Sequence, residues 1–160
     1  MAQGEDRAAG RLLTCRVGRK VCALPLEQVL ETMRPLPVEA LPGVPAFVRG
    51  LSLIRGWPTP VIDARTLLGS DDQVAARRYV TLRFATSHQR RVAALAVDAV
   101  LDIVQLAPGS LGDLPELLKE AQGELVSALG SLDRELLLLL QHGRIVPSEL
   151  WQRLEAGAGA

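Results

Sequence analysis

A chain of 160 residues holds one compact domain or two small intertwined ones, and a 48% apolar fraction gives it ample material for a core. Eighteen basic and eighteen acidic residues cancel, so no global field draws the chain to nucleic acid or to an anionic membrane. Aromatic residues make up only 3%, which removes the stacking platforms that single-strand binders use.

Met1–Gly10 carries charges and lacks the apolar stretch of a secretion signal. With residues 155–160 it reads as a disordered tail. Leu12–Val17 and Val21–Leu24 read as a hairpin, with Gly18-Arg19 as a two-residue turn of type II′. That register sets Cys15 opposite Cys22, on the face that holds Leu13, Val17 and Leu24. Such a pair is either a redox-sensitive disulfide or two small buried thiols, and a reducing compartment favours the thiols. Val48–Ile54 and Trp57–Ile62 are strands. Asp63–Leu68 is a short helix with Asp63 as N-cap and Gly69 as its stop. The polar stretch 69–76 joins the halves. Tyr79–Ala85, a turn at Ser87-His88-Gln89 and a strand from Val92 follow. A short helix is expected near Pro115, strands at Leu125–Leu129 and Leu136–Leu140, and a last helix over Ser148–Leu154 capped by Ser148. The five leucines read as a fully buried strand or, failing that, as an exposed apolar patch, and are far too few to span a bilayer.

The chain repeats itself. Val21–Pro37 reads VCALPLEQVLETMRPLP and Val92–Pro108 reads VAALAVDAVLDIVQLAP. Without a gap, Val21, Ala23, Leu24, Val29, Leu30 and Pro37 match Val92, Ala94, Leu95, Val100, Leu101 and Pro108, and the acids Glu27 and Glu31 match Asp98 and Asp102. Each copy follows a short apolar strand. Two five-stranded units result, and units this short close best as barrels.

Enzyme signatures are missing: no phosphate-binding glycine loop, no G-x-S-x-G, and no partner at ligand spacing for His88 or His142. Asp63 and Asp98 could be drawn as an acid–base pair, but a helix cap and a turn residue fit their positions better. A binding module remains. Arg55, between Ile54 and Gly56, reads as a free guanidinium at a strand end, beside apolar anchors. It fits a partner-binding fork and a surface arginine covering a barrel seam equally.

The segment LPGVPAFVRGLSLIRGWPTPVIDARTLLG, Leu41–Gly69, resembles the signature of the CheW-like family of chemotaxis coupling proteins. Pro45, Phe47, Val48, Gly50, Leu51, Ile54, Arg55, Gly56, Pro60, Val61, Ile62 and Asp63 fall in place, VCALPLEQVLET matches upstream and LAVDAVLDIV downstream. The resemblance spans residues 11–154. It implies a mostly β fold of two intertwined five-stranded SH3-like β-barrel subdomains around one hydrophobic core, with short helices. Residues 21–70 would form the bulk of the first subdomain and 77–140 that of the second, with 11–17 and 147–154 as terminal elements.

The resemblance also implies a non-enzymatic, cytoplasmic adaptor without cofactor or metal, recruited to membrane receptor arrays without inserting in the membrane. Its partners would be the cytoplasmic signalling tip of a chemoreceptor, lying in the groove between subdomains, and the regulatory domain of a CheA-type histidine kinase. Arg55, Glu31 and Val29 match positions implicated in these contacts, with Leu30, Leu51 and Ile54 beside them. Two departures stand out: Leu53 replaces the usual Asn, and Pro58-Thr59 follow Trp57 where an aliphatic residue is usual. Trp57, Pro58 and Thr59 are therefore the kinase-contact candidates, and proline there suits only an edge strand or a bulge. Two alternatives stay open. One is an adaptor that binds the receptor but has lost or altered its grip on the kinase. The other is a small β-barrel ligand-binding domain or enzyme, whose mark would be polar groups ringing a cavity.

Overall fold

The computed structural model describes residues 10–70, 74–84, 91–105, 112, 126–132, 135–140 and 145–158. Among these residues ten strands carry the fold: β1 (Arg11–Val17), β2 (Lys20–Pro25), β3 (Val29–Met33), β4 (Val48–Ile54), β5 (Trp57–Asp63), β6 (Arg78–Phe84), β7 (Arg91–Val97), β8 (Ala99–Gln105), β9 (Val126–Leu132) and β10 (Glu135–Leu140). Among the described residues two α-helices, α1 (Ala64–Leu67) and α2 (Ser148–Ala158), and a single 3-10 turn at Leu26–Gln28 accompany them. The turn at Ser87-His88-Gln89 and the helix near Pro115 lie outside the described residues.

The strands form two five-stranded sheets, ordered β8-β1-β2-β10-β9 and β3-β6-β7-β5-β4. The fold is thus mostly β and built of two intertwined five-stranded units, as the sequence predicts. The sheets do not follow the halves of the chain, however. The β1–β2 hairpin of the first half sits among strands of the second, and the β6–β7 hairpin sits among strands of the first. Each exchanged hairpin is held by a parallel ladder, β10 on β2 and β5 on β7.

The repeat is reproduced in register. Cys15 faces Cys22 in the first hairpin and Leu82 faces Ala93 in the second. Gly18 has φ +62° and closes the first turn as the sequence predicts. The bulge between Val48 and Gly50 in β4 has a counterpart in the pairing of β10 with β9.

Alternation along the strands builds three apolar clusters. Leu13, Cys15, Val17, Cys22 and Leu24 join Ile62, Val80, Leu82, Leu95, Leu138 and Leu140 in a large core shared by both sheets. On the other face of the first sheet, Leu12, Val21, Ala23, Leu137 and Leu139 pack together. On that of the second, Ile54, Val61, Tyr79, Ala94 and Ala96 do the same. Strands buried on both faces explain the near-continuous apolar runs. The leucine run is buried from Leu137 to Leu140, but Leu136, on the same face as Leu138 and Leu140, is 57% exposed, because the shared core stops short of the start of its strand. The run is therefore not buried throughout.

Helix α2 closes the shared core with Leu150 and Trp151. The Trp151 ring meets Phe84 edge-on at 5.5 Å and lies under the Arg91 guanidinium at 5.6 Å. Two expectations for this helix need correction. Ser148 is its first helical residue and not its cap, since the Pro147 carbonyl takes the Leu150 N–H at 3.1 Å. The helix also continues beyond Leu154 to Ala158, where the sequence predicts a tail, and Glu155 pairs with Arg91 at 2.8 Å.

Asp63 and Asp98 are not a catalytic pair. Asp63 caps α1 through the Arg65 N–H and binds the Arg49 guanidinium at 2.6 Å. Asp98 binds the Arg65 guanidinium at 2.9 Å and accepts the Gly18 N–H at 2.6 Å, so it ties the second half to the first hairpin turn.

Candidate partner-binding site

Arg55 and Gly56 form the two-residue turn between β4 and β5, with Ile54 facing Trp57. Both turn residues have positive φ, +54° and +80°, the signature of a type I′ turn. Arg55 is the only non-glycine residue with positive φ among the described residues. Its backbone carries a steric cost that glycine, asparagine or aspartate would not. The sequence predicts Arg55 at a strand end with its side chain free. In fact it sits at the hairpin tip, and its guanidinium is occupied.

The occupant is Glu31. Arg55 Nε and Nη2 donate to the two Glu31 carboxylate oxygens at 3.1 and 2.7 Å, a fork-to-fork pair. Glu31 lies on β3 and Arg55 beside β4, the two opposite edges of one sheet. The sheet therefore curls until its edges meet. Two further contacts hold the same seam: Glu39 and Leu51 exchange backbone hydrogen bonds of 2.8 Å, and Ser52 Oγ donates to the Pro37 carbonyl at 2.8 Å. Gly50 makes this approach possible, because a Cβ there would stand 2.0 Å from the Glu39 carbonyl oxygen. The hydrogen bonds from Arg55 hold the Glu31 carboxyl below the ordinary carboxylate range and raise the guanidinium further.

The other candidate residues divide by exposure. Leu30 is 44% exposed, displaced outward by a bulge: Val29 faces Leu82 and Glu31 faces Thr81, so Leu30 has no partner on β6. Val29 is half-buried against the shared core, and Leu51 is half-buried with its backbone held by Glu39. Ile54 is buried in the core of the second sheet and offers a partner no surface. Thr59 is buried too, with its hydroxyl donated to the Trp57 carbonyl at 3.0 Å. These two leave the set of surface candidates, because alternation turns both side chains inward. Trp57 (56%) and Pro58 remain exposed.

Pro58 and Pro60 lie in a strand that is interior by sheet order, where the sequence reading allows no proline. Two facts reconcile this. From Pro60 back to Trp57 the strand β7 no longer pairs with β5, so that side is open. In a two-residue hairpin the closing pair Ile54–Trp57 is hydrogen-bonded, and alternation makes Pro58 and Pro60 non-hydrogen-bonded positions toward β4. Neither ring removes a ladder bond.

Leu53 is the surface residue that sequence reasoning misses. It is 68% exposed and faces Pro58 across the hairpin, which gives the tip an apolar flank beside the Arg55–Glu31 pair. The local pattern carries no signal for it, since Leu51, Leu53 and Ile54 are all apolar and the polar Ser52 is buried. Leu30, Leu53, Trp57 and Pro58 are thus exposed on the strands that carry the ion pair, Leu53 and Pro58 on one face of the hairpin and Trp57 on the other, and apolar residues beside a charge pair suit protein recognition.

No cluster of metal-ligating side chains occurs among the described residues. A cleft of about 390 Å³ is lined by Leu36, Val38, Ala76, Arg49 and Tyr79. Its polar groups are already engaged, Arg49 by Asp63 and the Tyr79 hydroxyl by the Leu36 carbonyl. Among the described residues no helix is long and apolar enough to cross a membrane.

Comparison with known proteins places these features in context. The family model described as "CheW-like domain" matches residues 11–150. A probable chemotaxis protein CheW of Rhizobium etli is 25% identical over 130 residues, covering 81% of this chain and 83% of the relative. The chemotaxis protein CheW of Rhizobium meliloti is 25% identical over 138 residues, covering 86% and 88%. Among solved structures, the scaffolding protein TtCheW from Thermoanaerobacter tengcongensis superposes with a TM-score of 0.71 at 19% identity, covering 83% of this chain and 89% of that one. That structural likeness speaks to the fold.

Proposed function

The chain belongs to the CheW-like domain family, and from that premise we propose that it is a non-enzymatic chemotaxis adaptor coupling a chemoreceptor to a CheA-type histidine kinase. The observation that carries the reading is the Arg55–Glu31 pair. Two residues 24 positions apart, each singled out by the family resemblance, meet on the surface in one bidentate contact. The pair pre-organises both side chains, so a partner meets a fixed charge pattern with apolar flanks and binding sacrifices less side-chain entropy. The receptor tip would dock against Val29, Leu30, Leu51 and the pair. The kinase regulatory domain would use the hairpin end at Trp57 and Pro58. In this reading the protein works in the cytoplasm and reaches membrane arrays through the receptor.

The test is binding of the purified protein, separately, to a receptor signalling-tip fragment and to the kinase regulatory domain of the same organism. Binding to both is the expected result, and binding to neither overturns the reading. Binding to the tip alone would identify an adaptor that engages the kinase weakly or not at all, and would direct attention to Trp57–Pro60.

A further inference from the structure

Among the described residues one enclosed side-chain polar atom has no hydrogen-bond partner, the amide oxygen of Gln28. The fold treats its buried polar residues differently. Thr14, Ser52, Thr59, Asp63 and Thr81 are all buried, and each side chain is hydrogen-bonded. An unpaired enclosed acceptor forfeits the hydrogen bonds that water gives it in the unfolded chain, so the folded protein carries its desolvation cost. Packing alone does not call for an amide here. Methionine has a side chain of similar length and no strong acceptor to leave unpaired.

The position of Gln28 gives this atom a use. Gln28 ends the 3-10 turn that carries the chain from β2 in one sheet to β3 in the other. The turn lies against β1 of the first sheet and β6 of the second. Leu26 and Val29 pack on the shared core, and Gln28, between them in sequence, is half-buried. Glu31, on the same strand as Val29, is tied twice. Its backbone is clamped by Thr81 Oγ1 at 3.1 and 3.2 Å, and its carboxylate is held by Arg55. One short stretch thus adjoins two exceptions among the described residues, the non-glycine residue with positive φ and the unpaired enclosed polar atom. Residues that break a local rule without gain in the free protein are expected where a partner supplies the gain.

We infer that Gln28 is a specificity-determining residue for the segment that docks on β3. On docking its amide turns outward, and its oxygen accepts a hydrogen bond from an N–H or O–H of that segment. The terminal torsion of glutamine is soft, so the amide moves without disturbing the clamped backbone. The free protein bears the cost of the unpaired oxygen and the complex does not. The difference appears as affinity, and as discrimination against a segment that lacks the donor. The inference rests on the reading that a receptor tip docks on β3.

The experiment joins two measurements on the full chain, urea denaturation and calorimetric titration with a receptor signalling-tip fragment. Gln28→Met is expected to raise the urea midpoint and to weaken tip binding at least about fivefold, with binding to the kinase regulatory domain unchanged. A residue that only supports the fold would move stability and affinity in the same direction, or leave affinity alone. Gln28→Glu keeps an acceptor and loses the donor, and is expected to bind the tip within about threefold of wild type. Unchanged tip affinity in Gln28→Met overturns the inference and leaves the coupling role standing. A midpoint that is unchanged or lowered in Gln28→Met overturns it too, since the oxygen is then already satisfied in the free protein. Equal losses of tip binding in Gln28→Glu and Gln28→Met overturn the acceptor role. Failure of the wild type to bind the tip at all overturns the underlying reading, and this inference with it.

Discussion

The Arg55 guanidinium chelates the Glu31 carboxylate across the two opposite edges of one five-stranded sheet. The pair is open to solvent, with 71% and 29% of the two side chains exposed, so solvent screens most of its Coulomb energy. Its physical consequence is orientation: an arginine in a left-handed turn is aimed at one carboxylate and held there.

Arg55→Asn is expected to leave the urea midpoint unchanged within error, because asparagine tolerates the positive φ and the pair is screened. Binding to the receptor-tip fragment should fall at least about fivefold. Glu31→Arg alone should weaken binding by placing two guanidinium groups together, and Glu31→Arg with Arg55→Glu should recover part of it. A midpoint that falls in proportion to the binding loss would make the pair a structural staple of the seam.

Asp98 gives the fold an acid-sensitive tie. Burial works against its charged form, but the Arg65 guanidinium and the Gly18 N–H outweigh burial and hold the carboxyl below its ordinary value. A folded value below the unfolded one means that the stabilisation is complete above the unfolded value. It is lost as pH falls through the folded value. Asp98→Asn should cost about 1–2 kcal/mol near neutrality and flatten the loss of stability below about pH 4. Chemical denaturation across that pH range, wild type beside variant, reads both effects.

Gly50→Ala should destabilise the protein by more than about 1 kcal/mol, because the new Cβ meets the Glu39 carbonyl and φ +141° disfavours any side chain. Hydrogen exchange should show the Leu51 N–H losing protection. Retained protection there would mean that the seam shifts as a unit to admit the methyl group.

The leucine run separates surface from core within one strand. Leu137→Ala should cost about 2–5 kcal/mol, since Leu137 is fully buried. Leu136→Ser should stay within about 0.5 kcal/mol. Equal losses from the two variants would contradict the observed burial along β10.

Cys15 and Cys22 are free, buried thiols, and burial pushes both up to about 12. Neither should react with a thiol reagent in the native protein at neutral pH, and both should react once it is unfolded in denaturant. Reaction of either in the folded state would expose an opening of the β1–β2 hairpin.

Much of this is legible in the sequence because the determinants are local. Gly18-Arg19 sets its own turn and with it the facing of Cys15 and Cys22. Asp63 stands immediately before a short apolar run and caps it. The repeat is visible because equivalent strands bury equivalent positions. What escapes is long-range. Hydrophobic alternation says which face of a strand is buried but not which strand lies beside it, so the exchange of hairpins between halves leaves no mark. For the same reason the pattern does not show that Ile54 and Thr59 turn inward while Leu53 turns out. Arg55 and Glu31 both stand out in the sequence, yet as separate contacts with partners, since nothing local joins residues that meet only when a sheet curls.

The hairpin exchange also bears on how the molecule is made. Strand β2 meets its parallel neighbour only when Leu137–Leu139 arrive, more than about a hundred residues after Cys22 has left the ribosome. The first hairpin must wait through most of synthesis with both edges unpaired, since β1 also waits for β8, and neither sheet can be completed from half a chain. Two fragments severed in the 69–76 segment should therefore be inert alone and assemble only with each other, as a split pair whose joining reports on their encounter.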